Sequence, residues 1–119
     1  MKDFRDLLVW QKSHSLTLAV YKVSAEFPKS ELYGLTSQMR RASASIPANI
    51  AEGCGKESDA DFCRYIQIAM GSASEVDYHL ILARDLGFLA ESDYQQLNDQ
   101  TQEIKRMLIG FIKKLKANR

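Results

Sequence analysis

At 119 residues, with 45% apolar side chains and a net charge of +1, the chain suits one domain that buries roughly two-thirds of its surface on folding, which excludes a disordered chain. No apolar run approaches the roughly 18 residues a membrane span needs, and two cysteines, Cys54 and Cys63, are too few for a disulfide framework. The first six residues mix both charges without the apolar stretch of a secretory leader, so a cytoplasmic, reduced protein is expected.

Two prolines and six glycines leave long uninterrupted stretches, which suit helices better than short strands. From roughly Asp6 to Glu26, Val9, Leu16, Val20, Val23 and Phe27 recur at helical spacing. Phe27-Pro28 ends this helix, because a residue before proline is pushed out of the α region. Ser30 is then placed to cap a second helix, with Glu31 in its first turn. That helix carries Leu32, Leu35, Met39, Ala42, Ile46 and Ile50. Pro47 sits inside the pattern and predicts a kink near Ser43 to Ile46 rather than two helices. Gly53 is placed as a left-handed terminator.

Ser58, with Asp59 and Asp61 behind it, opens a third helix. Its stripe reads Phe62, Ile66, Ala69, Ala73, Val76, Leu80 and Ala83, and Gly87 ends it. Ser92, with Gln95 at capping-box spacing, opens a fourth. Its stripe is Leu97, Thr101, Ile104, Leu108, Phe111 and Leu115. Short linkers make successive helices antiparallel. The expected fold is all-α, a single domain over residues 1–119 built as an up-down-up-down antiparallel four-helix bundle.

The sequence offers little for catalysis. A di-iron bundle needs Glu-x-x-His pairs, but Gln11 and Val76 stand three residues before the two histidines, His14 and His79. No metal or other cofactor is expected. Cys54 lies in a glycine-rich turn and Cys63 at a helix start, where a thiol can become reactive; neither has a histidine nearby in sequence. Gly53 to Ser58 resembles a phosphate loop in composition only, because it lacks the spacing and follows a helix. No enzyme activity, small-molecule substrate or membrane partner is expected.

Charge is unevenly distributed. Ten acids between Glu57 and Glu103 face only Arg64 and Arg84, whereas only bases follow Glu103. Lys105, Arg106, Lys113, Lys114, Lys116 and Arg119 are the candidate nucleic-acid contacts, or a basic end that meets a neighbour's acidic face. Gln38, Arg41, Ser45, Asn49 and Glu52 form a polar row beside the apolar stripe of helix two. The row is either solvated surface or a network in which Arg40, Arg41, Asn49, Glu52 and Glu75 pair within the bundle or between subunits. Leu7, Leu8, Trp10, Ile109 and Ile112 exceed what one stripe per helix absorbs, so they are the candidate oligomer contacts. Tyr65, Met70 and Ile81 likewise lie beside the stripe of helix three.

A family resemblance rests on Phe4-Arg5-Asp6-Leu7-Leu8-Val9-Trp10-Gln11, Phe27-Pro28, Glu31-Leu32-Tyr33-Gly34-Leu35 and Gln38-Met39-Arg40-Arg41-Ala42. It continues through Ser45-Ile46-Pro47-Ala48-Asn49-Ile50-Ala51-Glu52-Gly53 and Ile68-Ala69-Met70-Gly71-Ser72 with Glu75. Over most of its length the chain resembles the four-helix-bundle proteins encoded by intervening sequences of bacterial 23S ribosomal RNA genes. The resemblance implies a bundle that assembles with itself into a ring of five. It also implies kinship with the accessory protein of diversity-generating retroelements, which binds a reverse transcriptase and nucleic acid through a basic surface. The family has no assigned catalytic residues. A homo-oligomeric scaffold is therefore the first functional expectation, and a nucleic-acid-binding accessory factor the second.

Overall fold

A computed structural model describes residues 3–118. A 3-10 turn at Phe4–Asp6 precedes α1, Leu8–Ser24. A second 3-10 turn, Lys29–Glu31, precedes α2, Leu35–Cys54; α3 spans Asp59–Asp85 and α4 Glu91–Ala117. There is no strand among the described residues. Each helix packs on its sequence neighbours and α4 closes back on α1, while the diagonal pairs make no close backbone approach. Cross-helix pairs run in opposite senses along each interface: Thr17 meets Ser43 and Tyr21 meets Arg40, while Asp77 meets Lys105 and Arg84 meets Tyr94. The result is the antiparallel up-down-up-down bundle, with extents of 46 × 23 × 20 Å. No helix among the described residues is long and apolar enough to cross a membrane.

The core follows the expected stripes. Leu16, Val20, Met39, Ile46, Ile50, Ile66, Val76, Leu80, Ile104 and Leu108 are fully enclosed. Several helix ends differ from expectation. Helix one starts at Leu8, because Asp3 accepts the Arg5 backbone N–H and closes a separate 3-10 turn first. That donated hydrogen bond holds the Asp3 carboxyl below its ordinary pKa. Ser30 does not cap α2; it lies in the second 3-10 turn, and Leu32 is 47% exposed. The cap comes from Glu31, whose carboxylate accepts the Leu35 backbone N–H at 3.2 Å. Ser92 sits inside α4 rather than before it, and Gln95 donates to Glu91.

At the end of α3 the expected stop is present. Gly87 has φ 81°, the Phe88 N–H returns to the Ala83 carbonyl, and the Gly87 N–H returns to that of Arg84. Gly53 plays a different part from the one expected. It is still helical, and a Cβ there would come within 2.8 Å of the Phe62 ring and 3.0 Å of the Tyr65 Cβ. Its bare backbone lets the end of α2 lie against the start of α3.

Helix α2 runs unbroken through Pro47. Proline lacks the N–H that would bond the carbonyl four residues back, that of Ser43. Ser43 is fully buried, so its carbonyl requires another donor. Thr17 of α1 supplies it: Thr17 Oγ1 lies 2.9 Å from the Ser43 carbonyl and 3.1 Å from that of Ser13, sharing one proton between them. Leaving a buried carbonyl unpaired costs about 1–3 kcal/mol. Thr17→Val is expected to lose stability in that range by urea denaturation. In a Pro47→Ala background, where residue 47 regains its N–H, the Thr17→Val loss is expected to shrink by at least half. Equal losses in both backgrounds would remove the pairing of these two residues as its cause.

Candidate functional site

The polar row of α2 divides into inward and outward parts. Arg40 turns along the α1 side, donating to Ser24 Oγ at 2.8 Å and to the Tyr21 carbonyl at 3.2 Å, with its guanidinium over the Tyr21 ring. Ser45 Oγ lies 2.9 Å from Ser72 Oγ of α3, and Asn49 Nδ2 donates to the Ser45 carbonyl and hydroxyl. The Ser45–Ser72 contact joins α2 to α3, and Asn49 braces Ser45 from within α2. Arg41 and Glu52 are instead exposed. Among the described residues neither forms an ion pair, and neither joins Arg40 or Glu75. The single connected network within the bundle, one of the expected alternatives, is not formed; Arg41 and Glu52 are eleven positions apart on the helix, too far to pair.

Glu75 lies one turn before His79, with Glu75 Oε2 3.6 Å from His79 Nε2, too long for a hydrogen bond. His79 is 5% exposed, and its Nδ1 has no hydrogen-bond partner among the described residues. Burial depresses its pKa below the usual 6.5, and the Glu75 charge only partly opposes this.

The basic end of α4 also divides. Lys105 lies in the α3–α4 seam, 3.0 Å from Asp77 Oδ2, which also accepts from Gln102. This places Lys105 apart from the phosphate contacts proposed for it, because its charge is already neutralised. Arg106, Lys113, Lys114 and Lys116 are exposed and form no ion pair among the described residues. Arg119 lies outside the described residues.

The candidate oligomer contacts do not form one patch. Leu8 is 57% exposed and Ile109 42%, whereas Leu7, Trp10 and Ile112 are half-buried against the core. Leu7 and Leu8 line a groove of roughly 610 Å³ at one end of the bundle, with Phe62, Met107, Phe111 and Leu115, and with Lys56 and Lys114 among its lining. Ile109 and Ile112 do not line it. This groove was not foreseen. Its sequence signal is Gly110, an interior helical glycine in its wall at which a Cβ would meet nothing within 4 Å. Both thiols are buried, so neither has the exposure considered for Cys54 in its turn. Among the described residues no group of three or more His, Cys, Asp or Glu is placed to hold a metal.

The sequence pattern of the 23S rRNA-intervening sequence proteins matches residues 5–110. A crystal structure of a protein with unknown function from the S23 ribosomal protein family of Bacteroides thetaiotaomicron is similar over 89% of this chain and 96% of that one. Its TM-score is 0.83 at 28% identity. No curated protein matches the chain.

His79 gives the fold a pH dependence of definite sign. Above about pH 6.5 the imidazole is neutral in both folded and unfolded chains. Below that the unfolded chain binds the proton first, because the folded pKa is depressed. Stability is therefore expected to fall as the pH drops from 6.5 toward the folded pKa. Urea titrations over about pH 5 to 7 should show a shallower fall for His79→Leu. Parallel profiles for the two proteins would remove His79 as the source.

Proposed function

We propose a non-enzymatic, self-assembling scaffold as the function of this chain, which belongs to the 23S rRNA-intervening sequence protein family. The observation that carries this reading is the amount of large apolar surface left outside a complete core. Leu8, Leu18 and Tyr21 on α1, Ile68 and Tyr78 on α3, Ile109 on α4, and Tyr33 between α1 and α2 are each more than 40% exposed. They are spread over three helices and a turn rather than gathered in one patch, which suits a subunit that meets neighbours on more than one side. Two interior helical glycines support the same reading. Gly71 and Gly110 each forgo about 1 kcal/mol of helix stability relative to alanine, yet no contact within the chain needs the space. Close approach by another chain would use it.

Both thiols and His79 have packing roles in this reading, with no reaction assigned to them. The protein acts in the cytoplasm, and its first partner is itself. A ring of five, implied by the resemblance, requires one surface to meet a different surface on the next copy. Light scattering coupled to size exclusion at micromolar concentration is expected to give about five times the 13.5 kDa chain mass. A monomer mass would overturn the reading, and another multiple would retain the scaffold without the ring.

A second reading has its own support. Arg106, Lys113, Lys114 and Lys116 are exposed cations without carboxylate partners among the described residues. A ring would repeat this cluster around its circumference, suiting an accessory factor beside an RNA or reverse-transcriptase partner. Against it stands the net charge of +1, since phosphate affinity depends on local cation excess. Fluorescence anisotropy with single- and double-stranded probes should then show binding that weakens steeply with salt, and Lys105→Gln should alter it less than Lys113→Gln. No binding at ~100 µM protein, the weak end of non-specific association, would remove this reading.

A further inference from the structure

Helices α1 and α3 stand diagonally in the bundle and run in the same direction, so their outer faces point to different sides of the molecule. Cross-helix bonds set their relative height. Thr17 of α1 is level with Ser43 of α2, and Ser45 of α2 is level with Ser72 of α3. Because α2 runs the opposite way, Ser43 stands two residues above Ser45, at the height of Ser74. Leu18 is therefore about level with Glu75, and Tyr21 with Tyr78. On α1, Leu18 is 58% exposed and Tyr21 47%. On α3, Gly71, Ser74, Glu75 and Tyr78 are all exposed. These four positions outline the hole that receives a side chain when two helices interlock. Gly71 leaves one corner of it open, since a Cβ there would meet nothing within 4 Å.

We propose that Leu18 of one copy enters the hole of Gly71, Ser74, Glu75 and Tyr78 on the next, joining the outer face of α1 to that of α3. This contact rests on the scaffold reading and names the two surfaces it joins. A ring whose axis runs along the bundle holds neighbours level and pointing the same way, and at every joint one surface meets a different one. Those conditions bring Leu18 opposite the hole, because α1 and α3 are parallel and Leu18 lies at the height of its centre. Tyr21 then packs beside Tyr78, one turn further along. Charge favours the same pairing. Helix α1 contains two lysines and no acid, whereas α3 contains five acids and two arginines. Arg40 adds a guanidinium 4.7 Å from the centre of the Tyr21 ring. Glu75, at 3.6 Å too far from His79 for a hydrogen bond, meets that cationic side across the joint. Pairing α1 with α1 would set lysine against lysine, and α3 with α3 acid against acid, so unlike faces are selected.

The test fills the hole. Gly71→Leu acts at an exposed helical position where leucine favours the helix, so the chain itself stays folded. Light scattering coupled to size exclusion is expected to show the assembled mass falling to that of a single chain, with helical content by circular dichroism unchanged. Combining Leu18→Ala with Gly71→Leu removes the entering side chain as it fills the hole, and is expected to recover the assembled mass. Oxidised Leu18→Cys with Ser74→Cys is expected to link successive chains into a covalent ladder, whereas either substitution alone links pairs at most. A Gly71→Leu mass equal to that of the wild type, a combined variant that stays a single chain, or an absent ladder would overturn the contact. A monomeric wild type would overturn the scaffold reading with it, whereas an oligomer indifferent to Gly71→Leu would overturn the α1–α3 contact alone.

Discussion

The bundle depends on a carbonyl that its own helix cannot satisfy. Pro47 stands in the middle of α2 and removes the donor for Ser43, whose carbonyl is sealed inside the protein. A buried backbone acceptor without a partner is rare in folded proteins. Thr17 meets this need from α1, and in doing so fixes where α1 lies along α2. Only a short side chain at close approach can make that bond, which explains why Ser13, Ser43 and Thr17 occupy buried positions otherwise suited to leucine. The register set there passes to the opposite side of α2, where Ser45 meets Ser72 and Gly53 accepts Phe62 and Tyr65. Two faces of α2 are thus committed to neighbours, and the third is left open.

Much of this was legible in the residues, for a physical reason. Core positions repeat at helical spacing because every turn must return an apolar side chain to the same interior. Most stripe residues from Val9 to Leu115 therefore fell in the core, while Val23, Phe62 and Phe111 lie at its edge and Leu32 is exposed. Helix ends were less legible because several donors compete for each one. Ser30 and Ser92 each resemble caps, yet Glu31 four residues before Leu35 reaches the backbone N–H better than Ser30 can, and α4 begins at Glu91 with no side-chain cap at all. Gly53 carried an ambiguous signal. A glycine at a helix end suits either a left-handed turn or a crowded crossing, and only the position of Phe62 separates the two.

The candidate surfaces were legible as residue types but not as arrangements. A lysine's charge can be read from sequence, whereas its occupancy depends on what the fold brings near. Lys105 and Lys113 are alike in the chain, yet Asp77 reaches only the first. Arg40 and Arg41 are adjacent, yet their positions differ by about 100° around the helix axis, and only Arg40 finds Tyr21 and Ser24. Adjacent like residues on a helix cannot share a partner face, so the pair was bound to divide.

That division separates what the fold requires from what it leaves unused. Within the stretch from Arg40 to Gly53, Ala42, Ile46 and Ile50 fill the core, Ser43 and Pro47 set the α1 register, Ser45 meets α3 while Asn49 braces Ser45, and Gly53 makes room for Phe62. Each of these positions has a reason inside one chain. Arg41 and Glu52 do not, and an isolated exposed charge adds little to stability. A solvated helix face would ordinarily place further charges between them, since long polar side chains favour helices and solubility. Ala48, with Ser45 and Asn49 bonded to each other, stands there instead. Stability of the single bundle accounts for neither of the two exposed charges.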